Sequence, residues 1–600
     1  MSGGMGNVMK ALIAIRAVKT SPMRRLFSLW SAWGGNGASA NLKLGCGGTF
    51  RMIRWQMLVG GMIGCMVWCS LGAPVLEYVY PAGVARGSEC EIEIGGRSLA
   101  NVNQAVASGE GVKLTLLGPV RTETLNKKGR PVSTVVPNRL RFRVVVDKDA
   151  ALGVRALCAS APYRLSEPVG FEVQAELPEV SEPTTNRTEA GEYTLSSFPV
   201  CVNGRVAHEA ADRYRFEARQ GMVIVAVTQP ETLPPTGFLP SLTFCDAAGK
   251  PCEGVSVYAA DRAPVAVFEV PQDGTYTLAV SSAVPARSGD DCVYRIRVGE
   301  LPLITSFTPV RAAEGESLNV RLEGVNLPRK RVRLFTGGKN SALCLQAITE
   351  GACVVPGLRF ALDAESAAPD FRVTMTPASL NIPADGSTLV NLRVQRINGF
   401  AGEVRVALDF PPLSIASEGG VIPADATEGV LTVSTDGVRF PRVVFGLALT
   451  ATAEVGGQTV KRAVLPVRRY RVADAEHEQV FAEPMARSNA GLNPLRINIA
   501  PKKPLVVPSA EALRLTLFSS SLATHLGGLY EPVVIYPPRG FTVEGVQRTN
   551  KQERAAVLLK CDPAVLKPGA TGVLVLGCVR QDDAKRKPLA VTQCVPFVIH

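Results

Sequence analysis

The histidines of this chain are too few and too scattered to build a catalytic centre. His477-Glu478 starts like the zinc-binding helix of a metalloprotease, but that motif needs a second histidine four residues on, where this chain has Phe481. His525 follows a serine run, yet no Gly-x-Ser-x-Gly nucleophile turn occurs. No nucleophile–base pair or paired-acid arrangement can be assembled, so the sequence predicts a non-enzymatic protein. The histidines, each predicted to be structural or on the surface, are His208, His477, His525 and His600.

Three aspartates form the one candidate metal site. Asp246, Asp261 and Asp273 fall near predicted turns, where their carboxylates could meet at one end of a module as oxygen ligands for calcium. However, no Asp-x-Asp-x-Asp-Gly calcium loop and no phosphate-binding glycine loop occurs. Aspartate is also an ordinary turn residue. Two interpretations therefore stay open: a weak calcium site, or turn residues with no cofactor at all.

Cysteine usage indicates an oxidising compartment. Of the 14 cysteines, those after residue 77 occur in even numbers in three successive regions, and an odd set of three follows near the end. Even numbers predict disulfides within each region, although the pairing stays open. No Cys-x-x-Cys occurs, so zinc-ribbon and thioredoxin-type sites have no support. The candidate disulfide cysteines are Cys90, Cys158, Cys201, Cys245, Cys252, Cys292, Cys344 and Cys353.

The elements that carry these residues are predicted to be β-strands. Gly 56 and Pro 43 punctuate short Val-, Leu- and Thr-rich runs, and no long amphipathic helical stretch is evident. A chain of 600 residues is too long for one hydrophobic core. The sequence therefore predicts an all-β protein of tandem β-sandwich domains, immunoglobulin-like and jelly-roll-like, after an N-terminal apolar leader helix.

The leader has the layout of an export signal. Arg51 and Arg54 precede an uncharged run, residues 55–76, that ends in small residues suited to cleavage after Gly72. The alternative is an uncleaved membrane anchor, because 22 uncharged residues can span a core of about 30 Å. In both cases the protein after Ala73 is expected outside the cytoplasm, in the periplasm, at the cell surface or secreted, and touches the membrane only through this segment.

The net charge of +12 does not indicate nucleic-acid binding. Residues 1–76 contain eight basic residues and no acidic residue, which leaves +4 for the rest of the chain. Nucleic-acid recognition needs a basic stripe. The one short basic run, residues 329–333, is predicted to be a solvated loop or an edge strand.

Internal repeats mark the modules. The segment Pro81–Leu99 matches Pro309–Leu327 at a constant offset of 228, and residues 380–394 match residues 505–517 more loosely at an offset near 126. The predicted organisation is a leader at 1–76, sandwiches at 77–178, 179–301, 302–370 and 371–467, a linker with a short helix at 468–494, and a last sandwich at 495–600.

The middle module resembles the bacterial pre-peptidase C-terminal domain. The matching segments are Asn203–Arg205, Asp212–Gly221, Phe244–Gly249, Pro271–Val280 and Tyr294–Ile296. The modules at 77–178 and 302–370 resemble TIG-type immunoglobulin-like domains, and the whole order is similar to exported multi-domain proteins of planctomycete-like bacteria. The resemblance implies a jelly-roll-like sandwich with an accessory role. Some members bind calcium through acidic loops, which here reduce to Asp261.

Two classes of function follow from this organisation. The first is an extracytoplasmic scaffold or adhesion-type protein that presents sandwich surfaces to a partner protein. The second is a protein that binds cell-surface carbohydrate or matrix. An exposed row of aromatic residues on residues 180–300 would favour this alternative, and its absence would count against it. A third, minor alternative is an accessory part of a secreted hydrolase system. For Tyr214, Phe216 and Tyr276, the sequence favours core positions over a sugar-binding platform.

Overall fold

The regular secondary structure of the described residues is β-strand, apart from one 3-10 turn. The structure, a computed structural model, describes residues 73–125, 130–175, 177–182, 192–207, 211–258, 262–309, 311–312, 317–335, 353–354, 361–362, 369–384, 386–412, 414–435, 442–472, 475–490, 497–499, 504–519, 530–537, 539–548, 554–584 and 586–600. The prediction of tandem β-sandwiches is confirmed. The leader helix and its cleavage site fall before residue 73, outside the described residues. Among the described residues, no helix has the length and apolar character needed to cross a membrane.

Module 1 (residues 75–174) is a sandwich of two sheets. One sheet has the order β1-β3-β6-β5 and the other β2-β9-β7-β4, with β8 paired to β7. Alternate side chains of both sheets, such as Ile92, Phe142 and Phe171, meet in one apolar core. The strands are β1 (Val75–Tyr80), β2 (Gly83–Ala85), β3 (Glu89–Arg97), β4 (Gln104–Ala107), β5 (Val112–Leu125), β6 (Pro131–Val146), β7 (Gly153–Ala161), β8 (Arg164–Leu165) and β9 (Val169–Gln174).

Module 2 (residues 179–299) packs a sheet in the order β10-β12-β19-β14-β17-β16 on one in the order β11-β13-β18-β15. One core fills the space between them, and a 3-10 turn at Pro230–Thr232 follows β14. The strands are β10 (Glu179–Ser181), β11 (Glu192–Thr194), β12 (Val200–Arg205), β13 (Asp212–Ala218), β14 (Val223–Thr228), β15 (Pro240–Cys245), β16 (Ser256–Tyr258), β17 (Val265–Glu269), β18 (Gly274–Ser282) and β19 (Val293–Gly299).

Module 3 (residues 303–362) repeats the opening of module 1. The antiparallel pair β20·β22 has the same register as β1·β3, with a bulge between Ile304 and Ser306 where β1 has one between Leu76 and Tyr78. The basic run at 329–333 lies largely on the exposed edge strand β23, as predicted. The strands are β20 (Leu303–Thr308), β21 (Arg311–Ala312), β22 (Ser317–Val325), β23 (Arg331–Phe335), β24 (Cys353–Val354) and β25 (Ala361–Leu362).

Module 4 (residues 370–490) has one core, built from strands of a large sheet and from the small sheet β27-β37-β33. The large sheet continues into the next module, because Ser387 of β28 pairs with Val591. The strands are β26 (Asp370–Thr376), β27 (Ser379–Pro383), β28 (Ser387–Ile397), β29 (Val404–Leu408), β30 (Ile415–Gly419), β31 (Val421–Ile422), β32 (Glu428–Thr435), β33 (Val444–Gly446), β34 (Leu449–Val455), β35 (Gln458–Val472), β36 (Ala475–Val480) and β37 (Met485–Ala490).

Module 5 (residues 497–599) repeats module 4 at the offset of 126 that the sequence showed. For example, β32 begins at Glu428 and β43 at Arg554, and both strands have eight residues. The strands are β38 (Ile497–Ile499), β39 (Leu505–Val507), β40 (Leu513–Ser519), β41 (Tyr530–Tyr536), β42 (Phe541–Arg548), β43 (Arg554–Cys561), β44 (Thr571–Arg580), β45 (Ala590–Val591) and β46 (Val595–Ile599).

The expected linker at 468–494 is wrong, because most of this segment is strand. β35 runs on to Val472 and forms a hairpin with β36, and β37 then pairs with β27 and β33 inside module 4. Its charged side chains suggested a solvated linker, but on β35 exposed Arg469 and Arg471 alternate with half-buried Tyr470 and buried Val472. Period-2 burial of this kind is typical of a strand with one wet face.

The modules are not arranged in space in the order of the chain. Module 3 packs on module 2 through Val225, Val267 and Leu303, and module 5 packs on module 4 through Val430 and Val575. Module 1 contacts both module 2 and module 4, as described below. The spatial order is therefore 3-2-1-4-5, with module 1 in the centre.

Candidate functional site

The chemistry-bearing residues singled out in the sequence do not come together. Asp246 accepts the N–H groups of Ala248 and Lys250 in a turn, both at 2.9 Å, and Asp273 accepts the N–H of Gln220 at 2.8 Å. Asp261 lies outside the described residues. Among the residues that the structure does describe, no group of three potential metal ligands occurs. Asp246 and Asp273 thus have the turn-stabilising role that was the alternative to calcium.

The histidines are equally dispersed. His477 lies on β36, where its ring stacks on Tyr470 with the centroids 5.8 Å apart. It therefore belongs to a strand and not to the helix that a zinc-protease motif requires. His600 is exposed at the end of the chain, while His208 and His525 lie outside the described residues.

The ten cysteines that the structure describes are all free thiols. Cys90 packs against the core of module 1, whereas Cys158 lies on the opposite face of β7 beside Met485 of module 4. Successive residues of a strand point to opposite faces, so these two cannot pair within the module as the even count suggested. Cys201 and Cys292 also lie on opposite sides. Cys292 belongs to the core of module 2. On β12 the residues on either side of Cys201, Val200 and Val202, face that core, so Cys201 points away from it. Cys344 lies outside the described residues.

The aromatic residues of module 2 are core residues. Tyr214, Phe216 and Tyr276 are buried, as the sequence favoured, and pack with Phe244 and Phe268 in one cluster. Among the described residues of 180–300, no aromatic side chain is exposed. The row of exposed aromatics that a sugar-binding face requires is missing from that part of the chain.

A buried ion-pair cluster joins modules 1 and 2. Arg295 of β19 is 0 % exposed, and its guanidinium donates to Glu172 of β9 at 2.7 Å and to Glu179 of β10 at 2.8 Å. It also donates to the Gly83 carbonyl and, at 2.6 Å, to Asn203 Oδ1. A buried charge is tolerated only when it is paired and its donors are satisfied. Arg295 therefore ties two modules together at a fixed position.

A second cluster extends this contact. Arg205 of module 2 pairs with Glu93 of module 1 at 3.3 Å, and its guanidinium lies 4.4 Å from the centroid of the Tyr80 ring. Next to it, Tyr214 donates to Glu182 at 2.7 Å, and Tyr294 donates to Asp212 at 2.9 Å. Burial raises the pKa of both tyrosines well above the usual value, so they stay protonated donors.

These clusters explain much of the motif that resembled the pre-peptidase domain. The sequence identified Asn203, Arg205, Asp212 and Tyr294 as motif residues without indicating what they contact. In the structure Arg205 pairs with Glu93 of module 1, and Asn203 accepts from Arg295 in the cluster at that boundary. Asp212 and Tyr294 hydrogen-bond to each other inside module 2, next to these clusters. Glu172 and Glu179 were not singled out, and the one signal for them was their position at the change from one module to the next.

Module 4 is held against module 1 by polar contacts to backbone groups. Asn381 accepts the Leu165 N–H at 2.7 Å and donates to its carbonyl at 2.9 Å. Arg468 donates to the carbonyls of Pro168 at 2.7 Å and Leu76 at 3.0 Å. Arg487 of β37 is buried and donates to Ser160. The residues expected to form a linker thus provide much of the contact.

A groove of about 820 Å³ opens where modules 1, 4 and 5 meet. Its walls come from the start of β1, β8 and the turn after it, the end of β26, β27, the start of β28, the last third of β35, and β45 with the segment before it. We call it the junction groove. Its charged lining residues are Arg164, Glu167, Arg468, Arg469 and Lys587.

The electrostatics of the junction groove are predominantly positive. Burial raises the pKa of the Glu167 carboxyl, and the charges of Arg468 and Lys587 oppose that shift. Burial also lowers the pKa of Arg164. Arg469 pairs with Glu478 at 2.9 Å, but within the described ranges no carboxylate forms an ion pair with Arg164 or Lys587. The groove therefore presents two cations, Arg164 and Lys587, that form no ion pair with a carboxylate of the described residues.

Comparisons with known proteins give no family. No protein-family model matches the chain, and no curated protein matches it. Solved structures with a similar arrangement of strands include domains 5-6 of the S-layer protein SbsC, 12% identical, covering 38% of this chain and 99% of that one, with a TM-score of 0.16.

Two further solved structures are similar to this chain at a comparably low level. The Dpr2 Ig1-Ig2 and DIP-Theta Ig1-Ig3 complex is 11% identical and covers 39% of this chain and 98% of that one, with a TM-score of 0.13. A DUF4785 family protein from Legionella pneumophila subsp. pneumophila str. Philadelphia 1 is 11% identical and covers 68% and 98%, with a TM-score of 0.14. At such low scores none of these likenesses carries an argument about function.

Proposed function

We propose that this protein is a non-enzymatic scaffold outside the cytoplasm that presents its β-sandwich surfaces to a partner protein. The observation that carries the proposal is the buried Arg295 cluster between modules 1 and 2. Domains on one chain move relative to each other unless their interface is large or tightly specified. Here a desolvated arginine with partners on both modules fixes the geometry.

Fixed geometry is what a scaffold needs. A surface that spans several modules binds a partner more tightly when it is already ordered, because less conformational entropy is lost on binding. The contacts of Asn381 and Arg468 extend the ordered unit from module 2 through module 1 to module 4. The buried motif residues of module 2 support the proposal that it is a pre-peptidase-type accessory module.

Location outside the cytoplasm is part of the same proposal. It rests on the charge-free run at 55–76 and the basic residues before it. The proposal assigns no reaction to the chain, and it places the protein partner before carbohydrate because no described aromatic side chain of module 2 is exposed.

Binding of the full-length protein to cell-envelope material of its source organism tests the proposal. The envelope fraction is divided, one part treated with proteinase K and one part with periodate, and each is passed over the immobilised protein. We expect binding that proteinase K abolishes and periodate leaves intact. Binding that survives proteolysis and is lost with periodate would establish the carbohydrate alternative, and turnover of peptide or glycoside substrates would show an enzyme.

A further inference from the structure

The junction groove lies in line with an interrupted strand position of the large sheet. β26 sits between β28 and β35, and its last pairs are Thr376 with Asn391 and Met375 with Pro466. Beyond these pairs β28 continues to Ser387 and β35 to Val472. The groove lining contains the residues that follow along both strands, namely Ser387, Thr388, Leu389, Val467, Arg468, Arg469 and Tyr470.

The register shows that the edge of β28 is open at this point. Asn391 pairs with both Thr376 of β26 and Val430 of β32, and Ser387 pairs with both Val591 of β45 and Ser434 of β32. β26 and β45 therefore lie along the same edge, opposite β32. Between them, the edge at residues 388–390 pairs with no strand of the described chain. Three residues correspond to about 10 Å of strand.

An open strand edge is a template for an added strand. Its N–H and C=O groups can hydrogen-bond with an extended peptide, which gives affinity without regard to sequence. Specificity then comes from the surrounding side chains. Around this groove they include Arg164, Arg468 and Lys587, against the single carboxylate of Glu167.

We propose that the junction groove binds an extended acidic segment of the partner protein by strand addition in the line of β26. The inference rests on the proposed function in taking a protein partner, and it adds the site and the chemistry of the bound segment. Side chains at alternate positions of the segment lie on one face, about 6.6 Å apart. Carboxylates on that face pair with Arg164 and Lys587, which have no ion-pair partner among the described residues.

A synthetic peptide tests the site directly on the full-length protein. The probe is the fluorescein-labelled heptapeptide Glu-Val-Glu-Val-Glu-Val-Glu, whose three central residues match the open edge at 388–390 while its ends leave the sheet. A Lys-for-Glu peptide and an analogue N-methylated at every second amide are the controls. We expect the acidic probe to bind with an affinity that falls as salt rises, and both controls to bind at least about tenfold more weakly. Equal binding of the N-methylated analogue would exclude strand addition.

Variants and hydrogen exchange locate the probe. The double variant Arg164→Gln/Lys587→Gln is expected to weaken probe binding about tenfold or more. Lys567→Gln, at an exposed lysine of module 5 outside the groove, should leave probe binding unchanged. Hydrogen exchange with the wild-type protein should show slower exchange at residues 388–390 when the probe is present. If the probe protects other residues instead, or if the double variant still binds the probe, the junction groove is not the binding site.

The same variant separates this inference from the proposed function. If the double variant binds proteinase-K-sensitive envelope material as well as the wild type does, the protein partner stands and the groove proposal fails. If the wild type binds no envelope protein at all, the proposed function fails. Vesicles with phosphatidylglycerol provide the remaining comparison: tight binding to them that competes with the probe would identify the groove as a lipid site and contradict the peptide proposal.

Discussion

Arg295 illustrates how a single residue can define the relation between two modules. It is one of 65 basic residues in the chain, and its Tyr-Arg-Ile context marks it as an outward-facing position of a strand. This position faces away from the core of module 2 and towards the boundary with module 1, where the guanidinium pairs with Glu172 and Glu179. Burial converts an ordinary surface arginine into a specific connector, because an unpaired charge cannot remain there.

Substituting Arg295 should therefore destabilise the module 1–2 boundary. Arg295→Met leaves Glu172 and Glu179 with fewer donors in a desolvated site, and breaking such a buried pair costs about 3–5 kcal/mol. We expect a lower thermal midpoint and faster hydrogen exchange in β9 and β10. Arg143→Met, which removes an exposed pair with Glu89 on the surface of module 1, is the matched control and should change little. Equal shifts for the two variants would show that Arg295 does not fix the boundary.

Glu167 gives the stability of the folded protein a predictable dependence on pH. Burial raises the pKa of its carboxyl in the folded state. The folded state therefore binds this proton more tightly than the unfolded state, and the stability that the protonated form supplies is lost as pH rises through the folded pKa. Glu167→Gln keeps an acceptor for the Ala378 N–H, which lies 3.2 Å away, and removes the charge.

The measurement is the thermal midpoint of both proteins between pH 4 and about pH 8. We expect the thermal midpoint of the variant to rise relative to that of the wild type as pH rises, since only the wild type must ionise a buried carboxyl. Glu110→Gln, at an exposed position of module 1, is the control. A difference that stays constant with pH, or shrinks, would contradict the assignment.

At the scale of elements, the repeat preserves a bulge and the glycine that permits it. A Cβ added to Gly96 would lie 1.9 Å from the Val75 carbonyl oxygen, and one added to Gly324 would lie 1.9 Å from the Leu303 carbonyl oxygen. Each glycine pairs with the residue that precedes the bulge, Gly96 with Leu76 and Gly324 with Ile304. The matching glycines of the two sequence repeats thus have one physical cause, the close approach of two backbones.

Both glycines should resist substitution equally. Gly96→Ala and Gly324→Ala force two backbone segments apart and are each expected to cost at least about 1–3 kcal/mol, the usual range for overpacking. Gly545→Ala, on β42 next to another bulge, is the control because a Cβ there meets nothing within 4 Å. Chemical unfolding followed by hydrogen exchange assigns each loss to its module. Tolerance of alanine at either repeat glycine would argue against the shared bulge.

At the scale of the whole molecule, the chain returns on itself. Module 4 contacts module 1 although their sequences are separated by modules 2 and 3, and Arg468 reaches the Leu76 carbonyl across 392 positions. The connection from module 3 to module 4 therefore does not have to hold the two parts of the molecule together.

Cleavage of that connection tests the arrangement. With a protease site inserted between Leu362 of β25 and Asp370 of β26, the cut protein should elute from size exclusion as one species, because modules 1 and 4 remain in contact. Adding Asn381→Ala and Arg487→Ala removes hydrogen bonds to Leu165 and Ser160 and should release the fragments. If the cut protein separates into two fragments even without these substitutions, the modules behave as independent domains.

The sequence by itself determined the strands, the repeats and the all-β class. Alternating apolar residues, turn glycines and prolines act over a few neighbouring positions, so they can be read locally. The same locality explains the wrong linker. Charged residues in 468–494 suggested a linker, because the pattern does not reveal which face of a strand a neighbouring module covers, and for the same reason the even cysteine counts left the pairing open.

Only the tertiary structure decided the spatial order 3-2-1-4-5, the buried Arg295 cluster and the junction groove. Each depends on contacts between residues that lie far apart in the chain, such as Arg295 with Glu172 and Asn381 with Leu165. Such contacts depend on how whole sandwiches pack. No short sequence pattern indicates which surface of a distant module will contact a given residue. The sequence named the residues of the module 2 motif, and the fold gave those residues their partners.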